Sequence, residues 1–226
     1  TDILIFCLFA ASLHFLLGLG GLVSFGHAAF FGGGAYAAAL IVTYADAPME
    51  LALLLAPLGA GMAAVIIGWV CLRLTGVYFA MLTLAFAQLL WSLVFQWGEF
   101  TGGDDGLVGI WPSEWASGSL PMFYLTLVIC VGGILLMRHV AHAPFGYALR
   151  AARDSSRQAE ATGIHTKRVQ WAAFAFAGAM AGVAGGLFVF SKGSVFPNEL
   201  EIAFLILASF AISFCKDSNE SSYIFN

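Results

Sequence analysis

The stretch LALLLAPLGAGMAAVIIGWVCL, residues Leu51–Leu72, holds 22 consecutive side chains without one acid or base. An α-helix rises about 1.5 Å per residue, so about 20 apolar residues cross a hydrocarbon core of about 30 Å. A helix that is apolar on every side lies either in a membrane or at the centre of a large protein. Leu51–Leu72 is therefore predicted to be a membrane-spanning helix.

Six further uncharged runs repeat this pattern along the chain. They are Ile3–Val23, Ala28–Tyr44, Leu74–Trp97, Leu120–Met137, Gln170–Phe190 and Ile202–Cys215. The 226 residues are 61% hydrophobic and 10% charged, with a mean hydropathy of +0.91. This composition argues against a water-soluble domain. It predicts an all-α polytopic membrane protein, a single transmembrane domain over 1–226 with about six to seven transmembrane helices, the short last run being the least certain span.

The basic residues indicate the orientation in the membrane. Six of the nine fall in one loop, 138–169. They are Arg138, Arg150, Arg153, Arg157, Lys167 and Arg168. Because basic residues concentrate in cytoplasmic loops, this loop is predicted to be cytoplasmic and the acidic loop 98–119 to lie outside. The first two spans leave two alternatives, since Gly18–His27 fits either a true loop or a broken helix.

Motifs of several enzyme classes are missing from the sequence. There is no GxxxxGK[ST] phosphate-binding loop, so we do not expect this chain to hydrolyse ATP. No Ser, His and Asp set indicates nucleophilic catalysis, and the four cysteines lack the CxxC spacing of zinc sites. We expect no enzyme activity, no cofactor and no metal on this chain. No basic aromatic surface is large enough to predict nucleic-acid binding.

Small residues mark one face of the 170–190 span. Gly178, Gly182 and Gly186 repeat at four-residue spacing, which places them on one side of a helix. Without side chains there, another backbone can approach closely. The pattern predicts helix packing. A sliding surface in a transport cycle is the alternative.

A few polar side chains interrupt the apolar runs. They are His14, Ser24, His27, Thr83, Gln88, Ser92 and Gln96. Each would be costly against lipid, so each is expected to face protein or water. The favoured interpretation is hydrogen bonding between helices, and the alternative is a polar translocation path lined by Ser24, His27, Thr83 and Gln88. A single His such as His27 is more often a structural donor than a ligand-binding or proton-carrying group.

The cytoplasmic loop contains a pattern typical of one helix, 144–162. Pro144 suits a first helical turn, and Gly163 suits a left-handed stop. Arg150, Arg153 and Arg157 would then share one face, with Asp154 pairing with Arg150 or Arg157, and Glu160 pairing with Arg157. A solvated loop whose arginines only fix the orientation is one interpretation. An ordered docking surface for a soluble partner is the other.

Four stretches of the chain resemble one family in their order and spacing. They are GGLVSFGHAAFFG at 20–32, GVYFAMLTLAFAQ at 76–88, TGGDDGL at 101–107, and the segment 144–164 that begins with PFG. Together they cover roughly residues 14–200. In these stretches the chain is similar to the inner-membrane permeases of branched-chain amino-acid ABC importers, of the LivM type.

The resemblance implies a transport subunit of the bacterial inner (plasma) membrane. Such a subunit pairs with a second permease, receives substrate from a periplasmic binding protein and is driven by two cytoplasmic ATPases, which use the ATP. The loop helix would be the element that couples to the ATPases. Its coupling residues would be Arg150, Arg153, Asp154, Arg157, Glu160 and Gly163.

Alternatives to an importer of branched-chain or other neutral amino acids remain. A urea or short-amide ABC importer shares much of the first motif. A secondary transporter working alone would need His14 or His27 to carry protons, and the uncharged spans argue against ion coupling. A purely structural subunit would not need the polar face that Gln88, Ser92 and Gln96 form at four-residue spacing on the fourth span. The region 201–226 does not continue the family's pattern, so we expect an incomplete permease bundle.

Overall fold

The computed structural model describes residues 1–45, 47–103, 106–116 and 118–196. Within these ranges, six helices are long and apolar enough to cross a membrane, which confirms the all-α polytopic fold. The helices are α1 (Asp2–His14) with a π-helical continuation (Phe15–Leu19), α2 (His27–Ala45), α3 (Met49–Cys71), α4 (Val77–Gln96), α5 (Gly98–Thr101), α6 (Ser119–His142), α7 (Pro144–Asp154), α8 (Ser156–Ala161) and α9 (Thr166–Lys192). The region 201–226, with the seventh apolar run, lies outside the described residues.

The connection between α1 and α2 is a true reversal of the chain. Gly21 has a φ of +64°, a conformation that suits glycine and ends the helical path. The Phe9 ring then packs against His27, with centroids 5.6 Å apart, and the Phe6 ring packs against Phe31 at 6.1 Å. Since later residues of α2 meet earlier residues of α1, the two helices are antiparallel, and a continuous broken helix is excluded.

Helix α9 is the centre of the bundle. Its membrane-spanning window is 78% buried, compared with 17% for α4 and 22% for α6. It packs along both α2 and α3 and also contacts α1. Edge-on aromatic contacts join Phe174 of α9 to Phe30 and Phe79, at centroid distances of 5.4 and 6.0 Å. Helices α4 and α6 are peripheral, and many of their large apolar side chains are exposed.

The connections that carry most of the acidic residues lie at one end of the bundle. Strands β1 (Leu107–Val108) and β2 (Ser194–Val195) pair there in antiparallel fashion. The Lys192 ammonium contacts the Asp2 carboxylate at 2.7 Å. The basic loop with α7 and α8 lies at the opposite end, beside the turn after α1. Acidic and basic segments are therefore separated along the bundle.

The basic loop forms two helices, so the prediction of one helix over 144–162 is wrong. Ser155 is extended, with φ −155° and ψ 98°, and separates α7 from α8. Its hydroxyl accepts a hydrogen bond from the Gln158 backbone N–H at 3.4 Å. A serine can interrupt a helix in this way because it supplies the N-cap of the next one. Gly163 has a φ of +88°, as the predicted left-handed stop requires.

Candidate functional site

Three of the four polar residues predicted to line a path lie buried near the crossing of α2 and α4. Ser24 and Thr83 are each 1% exposed, and His27 is fully buried. The turn before α2 lies against α4 at Gly26, where any Cβ would overlap the backbone carbonyl of Thr83. The Thr83 hydroxyl donates to the Ala80 carbonyl at 2.8 Å within its own helix. This crossing is therefore closed.

His27 is bound to the first helix. Its Nε2 lies 2.9 Å from the Ser12 hydroxyl oxygen, and that hydroxyl is also 2.7 Å from the Phe9 carbonyl. A serine has one proton to donate, and the carbonyl can only accept. We therefore assign the proton of the imidazole to Nε2, which donates to Ser12. The position of His27 is that of a structural donor between helices.

Gln88 is not brought to this cluster. It lies on the exposed side of α4, five residues and about 140° around the helix from buried Thr83. Farther along α4, the Gln96 amide donates to the Ser92 hydroxyl at 2.8 Å on the exposed surface. The four residues therefore do not form one continuous lining.

Two cavities lie on opposite sides of the Gly26–Thr83 contact. The inner cavity, about 590 Å³, lies among the α1–α2 turn, the α3–α4 turn and the basic loop, and reaches Phe79 and Ala80 on α4. The outer cavity, about 320 Å³, lies between α2, α3 and α4, and begins on α4 at Ala87. None of the four predicted path residues lines either one. Ser24, His27 and Thr83 occupy or flank the crossing that separates the two spaces, and Gln88 lies away from it.

The basic loop is tied to the end of the first span through Arg153. Its guanidinium donates to the Gly18 carbonyl, and its side chain covers Gly21 so closely that a Cβ there would overlap it. Arg150 makes a longer contact of 3.4 Å to the Ala141 carbonyl and lies over the Tyr147 ring. Arg157 is exposed on α8.

The predicted ion pairs of the loop are wrong. Asp154 pairs with its neighbour Arg153 at 3.0 Å, not with Arg150 or Arg157. Glu160 accepts a hydrogen bond from the Thr166 hydroxyl at 2.7 Å, not from Arg157. The break at Ser155 removes the helical spacing between Asp154 and Arg157. The other two pairs lie within single helices, and there the side chains have other partners: Arg150 contacts the Ala141 carbonyl, and Glu160 binds Thr166.

The glycine face of α9 lies against a matching face of alanines on α3. A Cβ at Gly178 would overlap that of Ala64, and one at Gly182 would overlap that of Ala60. At Gly186 the neighbour is Ala56, 3.3 Å away. Residue numbers rise along α9 while those of the contacting alanines fall along α3. The two helices are therefore antiparallel and packed at backbone distance.

Comparison with known proteins gives the family. Residues 1–215 match the family described as branched-chain amino acid transport system, permease component. The chain belongs to this family. The high-affinity branched-chain amino acid transport system permease proteins LivM of Escherichia coli (strain K12) and Salmonella typhimurium are each 27% identical to it over 230 residues. The alignments cover 90% of this chain and 54% of those proteins, so the chain spans about half the length of the curated relatives it matches.

No solved structure matches the permease significantly. Its family and the six apolar helices among the described residues make it a multi-pass protein of the inner membrane. Within the part of the chain that the structure describes, no three His, Cys, Asp or Glu side chains are grouped as a metal site would require.

Two residues at the outer cavity were not predicted as site residues from the sequence. Tyr36 and Trp91 line the outer cavity, and the hydroxyl of the first and the Nε1 of the second are buried without a hydrogen-bond partner among the described residues. Tyrosine and tryptophan are typical of the ends of membrane helices, where their polar atoms reach water. Their position inside the predicted spans was the available signal.

Proposed function

We propose that this permease is the transmembrane subunit of an ABC importer that moves branched-chain or other neutral amino acids across the inner membrane. The observation that carries the proposal is the family match over residues 1–215. The two cavities on either side of a closed crossing support it, because a transporter needs access from both sides and a barrier between them.

The proposed route follows α2 and α4 from the outer cavity to the inner one. The barrier is the close contact of Gly26 with Thr83, and Ser24 and His27 lie next to it. These side chains are polar but uncharged, so they can form hydrogen bonds with a solute but present no fixed charge. Such a route suits a zwitterion or a neutral amide, and it opposes a solute of net charge.

The proposed partners contact different surfaces. Two cytoplasmic ATPases, which use the ATP, would dock on α7 and α8. A second permease subunit would cover the exposed face of α4, where Gln88 and Gln96 would otherwise meet lipid. A periplasmic binding protein would deliver substrate at the acidic end. The coupling residues proposed are those of the sequence interpretation, with Arg153 acting on the first span through its bond to Gly18.

Arg157 provides a test of ATPase docking, because it is exposed on α8 while Arg153 also holds the first span. The variant Arg157→Glu is expected to lower the uptake achieved per ATP hydrolysed by about tenfold or more, as expected for a reversed charge at an interface. Uptake and ATP hydrolysis are measured together in vesicles that contain the assembled importer.

The matched control is Arg138→Glu, because it makes the same charge change at an exposed position at the end of α6, outside α7 and α8. It should insert and couple like the wild type. Equal coupling in both variants would contradict docking on α8. Absence of any co-purified ATPase would contradict the ABC importer itself, and uptake of urea instead of leucine would favour the short-amide alternative.

A further inference from the structure

Two residues that line the outer cavity each carry a buried polar atom without a hydrogen-bond partner among the described residues. Tyr36, only 4% exposed, has a buried hydroxyl, and Trp91 has a buried Nε1, and neither atom has a hydrogen-bond partner among the described residues. Both residues line the cavity. Leaving a buried donor unpaired lowers stability, so native proteins rarely do so unless water, an ion or a ligand completes the bond.

These two groups are held in place before any ligand arrives. The Trp91 indole stacks on the Phe95 ring, with centroids 5.2 Å apart and an angle of 16° between the planes. Tyr36 is packed in a core cluster with Ala35 and Val189. Fixed donors lose little conformational entropy on binding, which favours affinity.

The walls of the outer cavity are small and apolar. Gly32, Gly33 and Gly59 form part of the lining, and none of the described lining residues is charged. A Cβ added at Gly33 would meet no atom within 4 Å, so this wall faces open space. The volume of about 320 Å³ is at the small end of the range for small-molecule sites, about 300–1,000 Å³.

A potential acceptor lines the same cavity. The Thr101 hydroxyl is 2.6 Å from the Val94 carbonyl and 2.9 Å from the Trp97 carbonyl, and its single proton serves these contacts. The oxygen keeps lone pairs that can accept from an N–H. The cavity therefore combines two neutral donors, one neutral acceptor and an aliphatic wall.

We propose that the outer cavity is a binding site for an aliphatic amino acid, whose carboxylate accepts hydrogen bonds from Tyr36 and Trp91 while its side chain lies against the glycine wall. This assignment rests on the proposed function, since it makes the cavity a substrate site on the route through the permease. It also predicts selectivity, because a second charge on the ligand's side chain would face only apolar groups.

The test is binding of radiolabelled L-leucine to the full chain purified in nanodiscs of phosphatidylcholine and phosphatidylglycerol, without ATPases. The variant Gly33→Leu fills the cavity without a clash and should abolish saturable binding. Tyr36→Phe removes one donor and should weaken binding by about five- to tenfold. L-glutamate should not compete.

Gly132→Leu is the matched control, because Gly132 is also helical, exposed and without a neighbour within 4 Å of an added Cβ. It should bind leucine like the wild type. No binding by the wild type, or equal binding by both leucine variants, would overturn the site. Either water alone would then satisfy the two donors, or a lipid chain would fill the cavity. In the second case, brominated lipid should quench the fluorescence of Trp91.

The two proposals fail in different measurements. Binding to the isolated chain tests the site, whereas ATP-driven uptake by the assembled importer tests the function. Saturable leucine binding without ATP-driven uptake would retain the site and contradict the importer. Uptake that is unchanged in Gly33→Leu would retain the importer and overturn the site.

Discussion

The hydrogen bond between Ser12 and His27 shows how one pair of polar residues fixes the first two spans. Both side chains are fully buried, and the serine oxygen receives the Nε2 proton while its own proton goes to the Phe9 carbonyl. The two residues are 15 apart in sequence but lie on antiparallel helices. Because both side chains are fully buried, loss of either one leaves a buried polar group without its partner.

The losses of stability on removing the two members of this pair should not add. Ser12→Ala leaves the His27 donor unpaired and should destabilise the permease by about 1–3 kcal/mol. In the double variant Ser12→Ala, His27→Leu no donor remains unpaired. Its loss of stability should therefore be about 0.6–1.7 kcal/mol smaller than the sum of the losses in the two single variants. Unfolding in detergent of the wild type, both single variants and the double variant measures this coupling, and strict additivity would exclude the bond.

At the scale of helices, α9 lies in close contact with two neighbours at once. Its Gly182 approaches the Ala60 side chain on α3 and the backbone of Gly34 on α2. Gly185 is equally close to the Phe31 carbonyl. Contacts of this kind gain stability from dispersion and close packing, since lipid removes the hydrophobic driving force between helices.

A large side chain at Gly182 should therefore separate these helices. Gly182→Leu is expected to destabilise the bundle by about 1–3 kcal/mol or more, because overpacking forces backbone shifts. Gly132→Leu adds the same side chain to a helical position with open space and should be tolerated. Thermal unfolding and gel filtration in detergent compare the two variants. Equal tolerance would place the α9 glycine face toward lipid.

The helical break at Ser155 divides the basic loop into two parts. Arg153 on α7 holds the turn after the first span, whereas Arg157 on α8 is exposed. Under the proposed docking of an ATPase on α8, the contact of Arg153 with Gly18 would connect the docked loop to the first span.

At the scale of the whole molecule, the two ends differ in charge and in what closes them. Pairing of β1 with β2 and the Lys192–Asp2 ion pair join segments at the acidic end. At the basic end, the inner cavity is open among Arg153, Glu160 and Lys167. Since basic loops are retained in the cytoplasm, the acidic end is expected to face outward.

Cysteine labelling tests this orientation. With the native cysteines replaced, Ser113→Cys at the acidic end should react with a membrane-impermeant maleimide in intact cells. Arg157→Cys at the basic end should react only after the membrane is permeabilised. A reversed pattern would invert the topology, and labelling of both sites from outside would exclude the arrangement of six spans.

The sequence by itself determined that the protein is a membrane bundle. The length and apolarity of the spans, the basic loop and the glycine spacing are local properties, and each follows from a short stretch of chain. The resemblance in four motifs also identified the family, which the match over residues 1–215 shows. The break at Ser155 was missed because serine fits a short helical pattern and an N-cap equally well.

Only the tertiary structure decided which of these groups meet. Arg153 reaches the carbonyl of Gly18, 135 positions earlier, and the glycines of α9 meet alanines on α3. Gln88 is exposed and Thr83 is buried because of the face with which α4 packs against α2. Cavities and unpaired donors arise from the spaces between several helices, and such spaces have no counterpart in the periodicity of any single helix.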